Sequence, residues 1–168
     1  MIQETIQRRA QTSSFFRWLL NMQLFRMIPF NRPHRFTVHR MSEWSVTTRL
    51  PYRKVNFNHI RGLHACALAT ITEFTSGLLL VRHLDQRKFR LILKRLEMDY
   101  HYQGKMDAFG TFTISPEWLE HHITGPLSSA EAVVVPCTVE IRDEKNNLLT
   151  TGICHWQVKA WSKVRTKA

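Results

Sequence analysis

The sequence predicts an α+β fold in which a curved antiparallel β-sheet wraps around one long helix. Residues 58–81, "NHIRGLHACALATITEFTSGLLLV", place apolar side chains at helical spacing on both sides of the predicted helix. Segments before and after this helix alternate apolar and polar residues with a period of two, which is typical of strands. A helix that is apolar on most sides needs enclosure, and the concave face of a sheet provides it.

The chain length favours a single domain with its own hydrophobic core. There are 168 residues, of which 43% are apolar, and this is enough to bury a core and to exclude a disordered protein. We predict one domain over residues 1–168. It consists of an N-terminal amphipathic helical segment (residues 1–33) and a core (residues 34–162).

The N-terminal segment contains "SSFFRWLLNMQLFRMIPF", residues 13–30. Arg17 and Arg26 interrupt it, so it fits neither a signal sequence nor a membrane span. An amphipathic helix fits better. Its apolar side chains could cap the core, which is the favoured interpretation, or lie on a membrane surface. These side chains are Phe15, Phe16, Leu19, Leu20, Met22 and Met27.

Strands are predicted on both sides of the central helix. "HRFTVHR" and "EWSVTTRLP" form a hairpin that turns near Ser42 and Glu43. After the helix, "KFRLILKRLEMDYHYQGK" changes its apolar parity near Lys94, which one extra residue in a β-bulge explains. "MDAFGTFTIS", "EAVVVPCTVEIRD" and "LLTTGICHWQVKAW" are further strands, with "SPEWLEHHITGPLSS" as a long connection. In the last strand Leu148, Thr150, Gly152, Cys154, Trp156 and Val158 alternate with more polar neighbours.

Composition narrows the classes of ligand and compartment. Lys and Arg outnumber Asp and Glu by 24 to 13, a formal charge of +11 that attracts nucleic acid, anionic lipid or phosphorylated molecules. A basic surface without a specific ligand is an equal alternative, and nucleic acid is less favoured because no recognition motif is present. Three cysteines without a CxxC pair predict neither a disulfide framework nor a metal site, and a cytoplasmic location is expected.

Glu73 is the one formally charged residue between Arg61 and Arg82. The residues three and four positions away carry no positive charge, so Glu73 has no ion pair on its own helix. A buried carboxylate is costly and normally has partners from elsewhere in the fold or a chemical task. The alternatives are that the helix is less buried here, or that groups on the strands satisfy the carboxylate.

A short motif around Glu73 resembles a known family. Asn58, then His64-Ala65-Cys66, then Glu73 nine residues after the histidine, resembles the motif of hotdog-fold acyl-CoA thioesterases of the phenylacetyl-CoA and hydroxybenzoyl-CoA types. The stretch "EIRDEKNNLLTTGICHWQVK" is similar to the closing hairpin of that family. The resemblance covers most of residues 36–160 and is nearest to a branch recorded as a domain of unknown function.

The resemblance implies a thioester hydrolase with named roles. Glu73 would act as general base or nucleophile, and Asn58 would position water or substrate. The Ala65 N–H, at the helix N-terminus, would stabilise the oxyanion, and His64 would orient that turn. Further substrate contacts would come from Gly62, Cys66 and Gly77, and the coenzyme A phosphates would lie near Arg61, Lys94 and Lys105, with Arg53, Lys54 and Arg95 as other candidates.

One departure from the family motif leaves an alternative open. The family has His-Gly-Gly, whereas this chain has Ala65 and Cys66, and the Ala65 methyl group lies where a thioester must approach the backbone. The alternative is a non-catalytic acyl-thioester or lipid-binding protein on the same fold, and a basic nucleic-acid or membrane-surface binder is a third hypothesis. No cofactor is expected, since coenzyme A or acyl carrier protein is part of the substrate. A homodimer is predicted, with a tetramer as the alternative.

Overall fold

The computed structural model describes residues 2–164, with side chains from residue 6 onward. Its helices are α1 (Ile2–Arg9), α2 (Ser14–Met27), α3 (Asn31–His34), α4 (Ala65–His83), α5 (Pro116–Leu119) and α6 (Gly125–Leu127). Its strands are β1 (Thr37–Met41), β2 (Ser45–Leu50), β3 (Phe89–Tyr100), β4 (Ala108–Thr113), β5 (Ala132–Asp143) and β6 (Leu148–Ala160). Short 3₁₀ turns lie at Lys54–Asn56 and Trp161–Lys163, and a π-helical turn lies at Glu120–Thr124.

The six strands form one antiparallel sheet in the order β1-β2-β4-β5-β6-β3. Helix α4 packs against β2, β3, β4, β5 and β6. The strands and α4 together enclose the main core, as expected for a sheet that must cover a helix with few polar positions. The predicted α+β fold with one central helix is therefore confirmed.

The predicted bulge in β3 is present at Lys94. Leu93 pairs with Trp156 and Arg95 pairs with His155, so Lys94 is an extra residue opposite two consecutive residues of β6. A bulge shifts the side-chain alternation by one position and increases local twist. It explains how one strand keeps its apolar side chains on one face although the sequence parity changes.

The β5–β6 hairpin contains a second irregularity, at the start of β6. Ile141 pairs with Thr150 and Arg142 pairs with Leu148, which leaves Leu149 as the extra residue. Leu149 is fully buried and Leu148 is only partly buried. The alternating set noted in the sequence is therefore interrupted at its first member, Leu148, because the bulge reverses the alternation at the start of β6. Its other members, from Thr150 to Val158, are buried.

Helix α4 begins at Ala65, directly after His64, whose side chain caps it, and the helix is buried on most sides. Ile71 and Phe74 of the predicted apolar stripe are buried, and so are Leu68 and Leu79 on the other side. Among the described residues, α4 is the one helix long and apolar enough to cross a membrane. Its place in this fold is the centre of the core, which accounts for its composition.

Helix α2 packs on the core with a different set of side chains from the one predicted. Leu20, Leu24 and Phe25 are buried, whereas Phe15 and Met27 are exposed. The Asn21 side chain accepts from the Val38 N–H (2.7 Å) and donates to the Val38 carbonyl (3.1 Å), which attaches α2 to the edge strand β1. Of the six predicted core positions only Leu20 is buried, because α2 is apolar on both sides and the pattern does not distinguish them.

Candidate functional site

Glu73 lies at a cavity of about 250 Å³ between α4, the sheet and the end of α2. The cavity is mostly apolar. Helix α4 contributes Glu73, Phe74, Gly77, Leu78 and Val81, the sheet contributes Leu91 and Trp156, and the segment from α2 to α3 contributes Leu24, Met27, Ile28 and Asn31. The carboxylate therefore borders a space of the size and polarity that suits an apolar ligand group.

The Glu73 carboxylate has no hydrogen-bond or ion-pair partner among the described side chains and backbone groups of residues 6–164. Burial raises its pKa above the ordinary value of 4.5, because desolvation disfavours the charged form. Burial, together with the negative charge of Glu73, also raises the pKa of the nearby Cys154 thiol to about 11. The alternative that strand groups satisfy this carboxylate finds no support in the described residues.

Trp156 and Gly77 shape one wall of the cavity. The Trp156 indole N–H donates to the Ser76 hydroxyl at 3.0 Å, which fixes the ring against α4. A Cβ atom at Gly77 would come within 2.7 Å of that ring, so glycine is required for this close approach. The structure thus places Gly77, a predicted substrate contact, on the cavity wall beside Glu73.

Asn31 is a polar residue of the cavity that the sequence did not indicate. It is only 3% exposed, and its side-chain amide has no hydrogen-bond partner among residues 6–164. Buried amides are normally hydrogen-bonded, so this group is available to a water molecule or ligand in the cavity. In the sequence Asn31 follows "PF" at the end of a helix and is indistinguishable from an ordinary turn residue.

The start of α4 forms the second group of predicted site residues. His64 Nδ1 accepts from the Cys66 N–H at 3.0 Å, so in the neutral ring Nε2 carries the proton and can donate. The Ala65 N–H has no acceptor among residues 2–164, as expected at the first position of a helix. The Ala65 carbonyl accepts from the Tyr100 hydroxyl at 3.2 Å. His64, Ala65 and Cys66 are all exposed.

The loop before α4 is held together by Asn58. Its side-chain oxygen accepts from the N–H groups of Ile60 (3.1 Å) and Gly62 (2.9 Å). Gly62 is packed closely against Gln103, so that a Cβ atom there would approach the Gln103 side chain to 2.8 Å. In this chain Asn58 therefore shapes the loop, and its side-chain NH₂ group remains the part that could contact a ligand.

The two groups of residues are separated along α4. Ala65 and Glu73 are eight residues apart, which corresponds to about 12 Å along a helix. Cys66, Thr70 and Glu73 lie on the same side of α4 because they are spaced by four and three residues. Within one chain the structure does not bring the Ala65 N–H and the Glu73 carboxylate to one point.

The three basic residues predicted to bind phosphate lie in two places. Arg61 and Lys105 are in loops that meet where the Leu63 N–H donates to the Gly104 carbonyl at 2.8 Å, near the start of α4. Lys94 is exposed at the bulge of the edge strand β3. No group of His, Cys, Asp and Glu suited to a metal ion occurs among the described residues.

The described fold is a hotdog fold, and solved structures share it. A Pseudomonas aeruginosa protein described as of unknown function and "Probable Thioesterase" is 20% identical, with a TM-score of 0.76 over 84% of this chain and 94% of its own. A Haemophilus influenzae thioesterase is 12% identical, with a TM-score of 0.67 over 90% and 95%. A Staphylococcus aureus thioesterase is 14% identical, with a TM-score of 0.63 over 78% and 98%. At these identities the likeness establishes the fold.

The family follows from the sequence itself. The profile of the domain of unknown function DUF4442 matches residues 16–158, so the chain belongs to this family. None of the curated proteins compared with this chain matches it significantly. The match confirms the prediction that the chain belongs to a family defined as a domain of unknown function.

Proposed function

We propose that this protein hydrolyses acyl thioesters of coenzyme A or acyl carrier protein in the cytoplasm. The observation that carries the proposal is the Glu73 carboxylate, which has no partner among residues 6–164 and lies at an apolar cavity of about 250 Å³. A carboxylate with a raised pKa is suited to general-base chemistry near neutral pH. The cavity accommodates an acyl chain, and the hotdog neighbours described as thioesterases support the reaction class.

In the proposed reaction Glu73 takes a proton from water, and the resulting hydroxide attacks the thioester carbonyl. The carbonyl oxygen becomes negatively charged and accepts the Ala65 N–H, whose alignment with the helix axis stabilises negative charge. The C–S bond then breaks, and the leaving thiolate takes the proton that Glu73 had accepted, which gives the free thiol and restores the carboxylate. The buried amide of Asn31 is available to hold the attacking water. Attack on the thioester by Glu73 itself is the alternative route.

A spacing in one structural neighbour supports the choice of residues. Two structures of the Staphylococcus aureus protein carry single alanine replacements, one at a glutamine and one at a glutamate fifteen positions later. Asn58 and Glu73 are also fifteen positions apart. Asparagine and glutamine present the same amide group, so the pair at this spacing is chemically equivalent.

The separation of Ala65 and Glu73 favours a site shared by two protomers. About 12 Å along α4 is too far for a carboxylate and an oxyanion donor to act on one carbonyl carbon. The proposal is that in a homodimer Glu73 of one protomer acts together with the Ala65 N–H of the partner subunit. The proposed function therefore includes the predicted homodimer, with a tetramer as a dimer of such dimers.

The test is an acyl-CoA panel of increasing chain length, assayed for release of free thiol. Wild-type protein should release thiol, and Glu73→Gln should lower kcat by about 10²-fold or more while substrate binding is retained. Glu131→Gln is the matched control, because Glu131 is an exposed glutamate whose ion pair within residues 6–164 is with Lys159. Thiol release unchanged by Glu73→Gln would refute the assignment.

The second candidate function is acyl-thioester binding without hydrolysis. It is favoured by the exposed Ala65 and Cys66 side chains, which stand where the family has two glycines. In that case wild type binds acyl-CoA and releases no thiol. Replacing both residues by glycine removes the steric obstacle, and thiol release only in that variant would establish the binding function.

A further inference from the structure

Helix α2 exposes an apolar face on the side opposite its buried residues. Phe15, Trp18 and Met22, followed by Arg26, recur every three or four residues and so share one side, which we call the outer face. Phe15 is 61% exposed and Trp18 is 55% exposed, and their rings stack with centroids 6.1 Å apart. A contiguous exposed aromatic surface of this kind marks an interaction site.

The N-terminal part of the chain, which includes α2, carries most of the excess positive charge. Residues 5–42 contain seven arginines and no Asp or Glu, whereas the whole chain has a formal charge of +11. No carboxylate among residues 6–164 forms an ion pair with Arg26, Arg32 or Arg35. The segment is therefore strongly basic without internal neutralisation, and its field attracts anions.

A groove of about 420 Å³ places arginines directly beside the outer face. Trp18, Met22, Phe25 and Tyr52 line it together with Arg35, Arg49 and Arg53. The Arg35 guanidinium lies over the Phe25 ring at 5.9 Å. Asp107 is the carboxylate of the groove, and it is already bound by Arg49 and by the Tyr52 N–H (2.7 Å). Arg35 and Arg53 thus remain available to an anionic group.

We propose that the outer face of α2 and this groove form a docking surface for anionic phospholipid membranes. Aromatic side chains enter the boundary between headgroups and acyl chains, and arginines bind the lipid phosphates. This combination favours a membrane over duplex nucleic acid, because a duplex would satisfy the arginines but keeps its bases paired and stacked on each other, away from Phe15 and Trp18. It also disfavours a second copy of this chain, because two such surfaces, each rich in arginine and with its Asp107 already paired with Arg49, repel each other.

The end of α2 connects the docking surface to the cavity at Glu73. Met27 and Ile28 line the cavity beside Glu73 and are also exposed at the end of α2. Phe30, which follows them, is exposed as well. The docked protein would therefore hold the cavity next to the lipid surface, where molecules with long acyl chains are concentrated.

The test is flotation of the full chain with vesicles, without any thioester, so that the result is independent of the proposed hydrolysis. Vesicles of phosphatidylcholine with phosphatidylglycerol should bind the protein, pure phosphatidylcholine vesicles should bind it much less, and added salt should weaken binding. Phe15→Ser/Trp18→Ser and Arg26→Glu/Arg35→Glu should each weaken binding by about tenfold or more.

Matched controls make the same chemical changes at other exposed positions. Tyr102→Ser/Trp161→Ser removes two exposed aromatic side chains, and Arg87→Glu/Lys163→Glu reverses two exposed charges. Both controls should bind vesicles like wild type. Equal binding to neutral vesicles, or equal losses in controls and test variants, would overturn the proposal.

Two other results would also overturn it by identifying a different occupant. One is the absence of vesicle binding together with a change from dimer to monomer in Phe15→Ser/Trp18→Ser, measured by light scattering. The other is the absence of vesicle binding together with tight binding to duplex DNA that the Arg26→Glu/Arg35→Glu variant loses.

Discussion

The start of α4 and the cavity at Glu73 differ in whether their polar side chains have hydrogen-bond partners within the described chain. At the start of α4 the Asn58 oxygen accepts two backbone N–H groups, and His64 Nδ1 accepts the Cys66 N–H. At the cavity neither the Glu73 carboxylate nor the Asn31 amide has a partner among the described residues. Polar groups with partners shape the chain, whereas buried groups without partners are maintained at a cost and indicate a ligand.

The Ala65 N–H is the exception at the start of α4, because it is exposed and has no acceptor in the described chain. We expect Ala65→Pro to remove this donor without disturbing the helix, since proline is favoured at the first helical position. The extended backbone of His64 (φ −70°, ψ 139°) also suits a residue that precedes proline. If the N–H stabilises the oxyanion, kcat/KM should fall by about 10²–10³-fold in the thiol-release assay, with an unchanged melting temperature.

Ala65→Gly is the control, because it keeps the N–H and should retain activity. Mixing Ala65→Pro with Glu73→Gln tests the shared site. Random exchange of protomers would make half of the dimers hybrid, each with one intact site, and so restore about a quarter of wild-type activity. No recovery after demonstrated exchange of protomers would mean that both groups act within one chain.

Two buried asparagines, Asn56 and Asn31, differ in the same way. The Asn56 amide donates to the carbonyls of His34 (3.0 Å) and Pro51 (2.9 Å), and its oxygen contacts His34 Nδ1 at 2.8 Å. Asn56→Ala should therefore lower the melting temperature, since it leaves buried groups unsatisfied. Asn31→Ala should leave the melting temperature unchanged or higher and lower kcat by roughly tenfold, because a positioned water is lost. The reverse result, with Asn31→Ala unstable and fully active, would make Asn31 structural.

The sequence was sufficient to predict a feature where a strong local pattern is compatible with one structure. The spacing of Ile71 and Phe74 predicts α4, and the parity change at Lys94 predicts the bulge in β3. The absence of a cation near Glu73 on its own helix predicts a carboxylate without a helical partner, and the raised pKa of Glu73 agrees with its predicted desolvation. In each case local chemistry left few alternatives.

Long-range packing decided the features that the sequence did not predict. Helix α2 is apolar all round, so its contacts with α1 and β1 determine that Leu24 is buried and Phe15 exposed. Asn31 becomes part of the site only because α2 brings the segment after it against α4. The connection between β4 and β5 was predicted as a connection, and its helical turns and buried Ile123 were not anticipated.

The smallest expected effect concerns the free energy of unfolding. The pKa of Glu73 in the folded protein lies above its ordinary value of 4.5, which we take for the unfolded chain. At pH values between the unfolded-state pKa and the folded-state pKa, the folded protein therefore binds more protons than the unfolded chain. The contribution of Glu73 to stability is therefore fully present below the unfolded pKa, and it is lost as the pH rises through the folded pKa. Glu73→Gln does not ionise, so its melting temperature should exceed that of wild type at neutral pH, by about 2–4 °C for each kcal/mol.

This difference between Glu73→Gln and wild type should disappear at pH values below 4.5, which calorimetry at a series of pH values can measure. Glu131→Gln should show no such pH-dependent gain, since Glu131 is exposed. A Glu73→Gln variant less stable than wild type at neutral pH would mean that the carboxylate has partners in the assembled protein. The cavity would then resemble the start of α4, and its polar groups would serve folding. A variant that is more stable and inactive is the result expected of a carboxylate retained for chemistry.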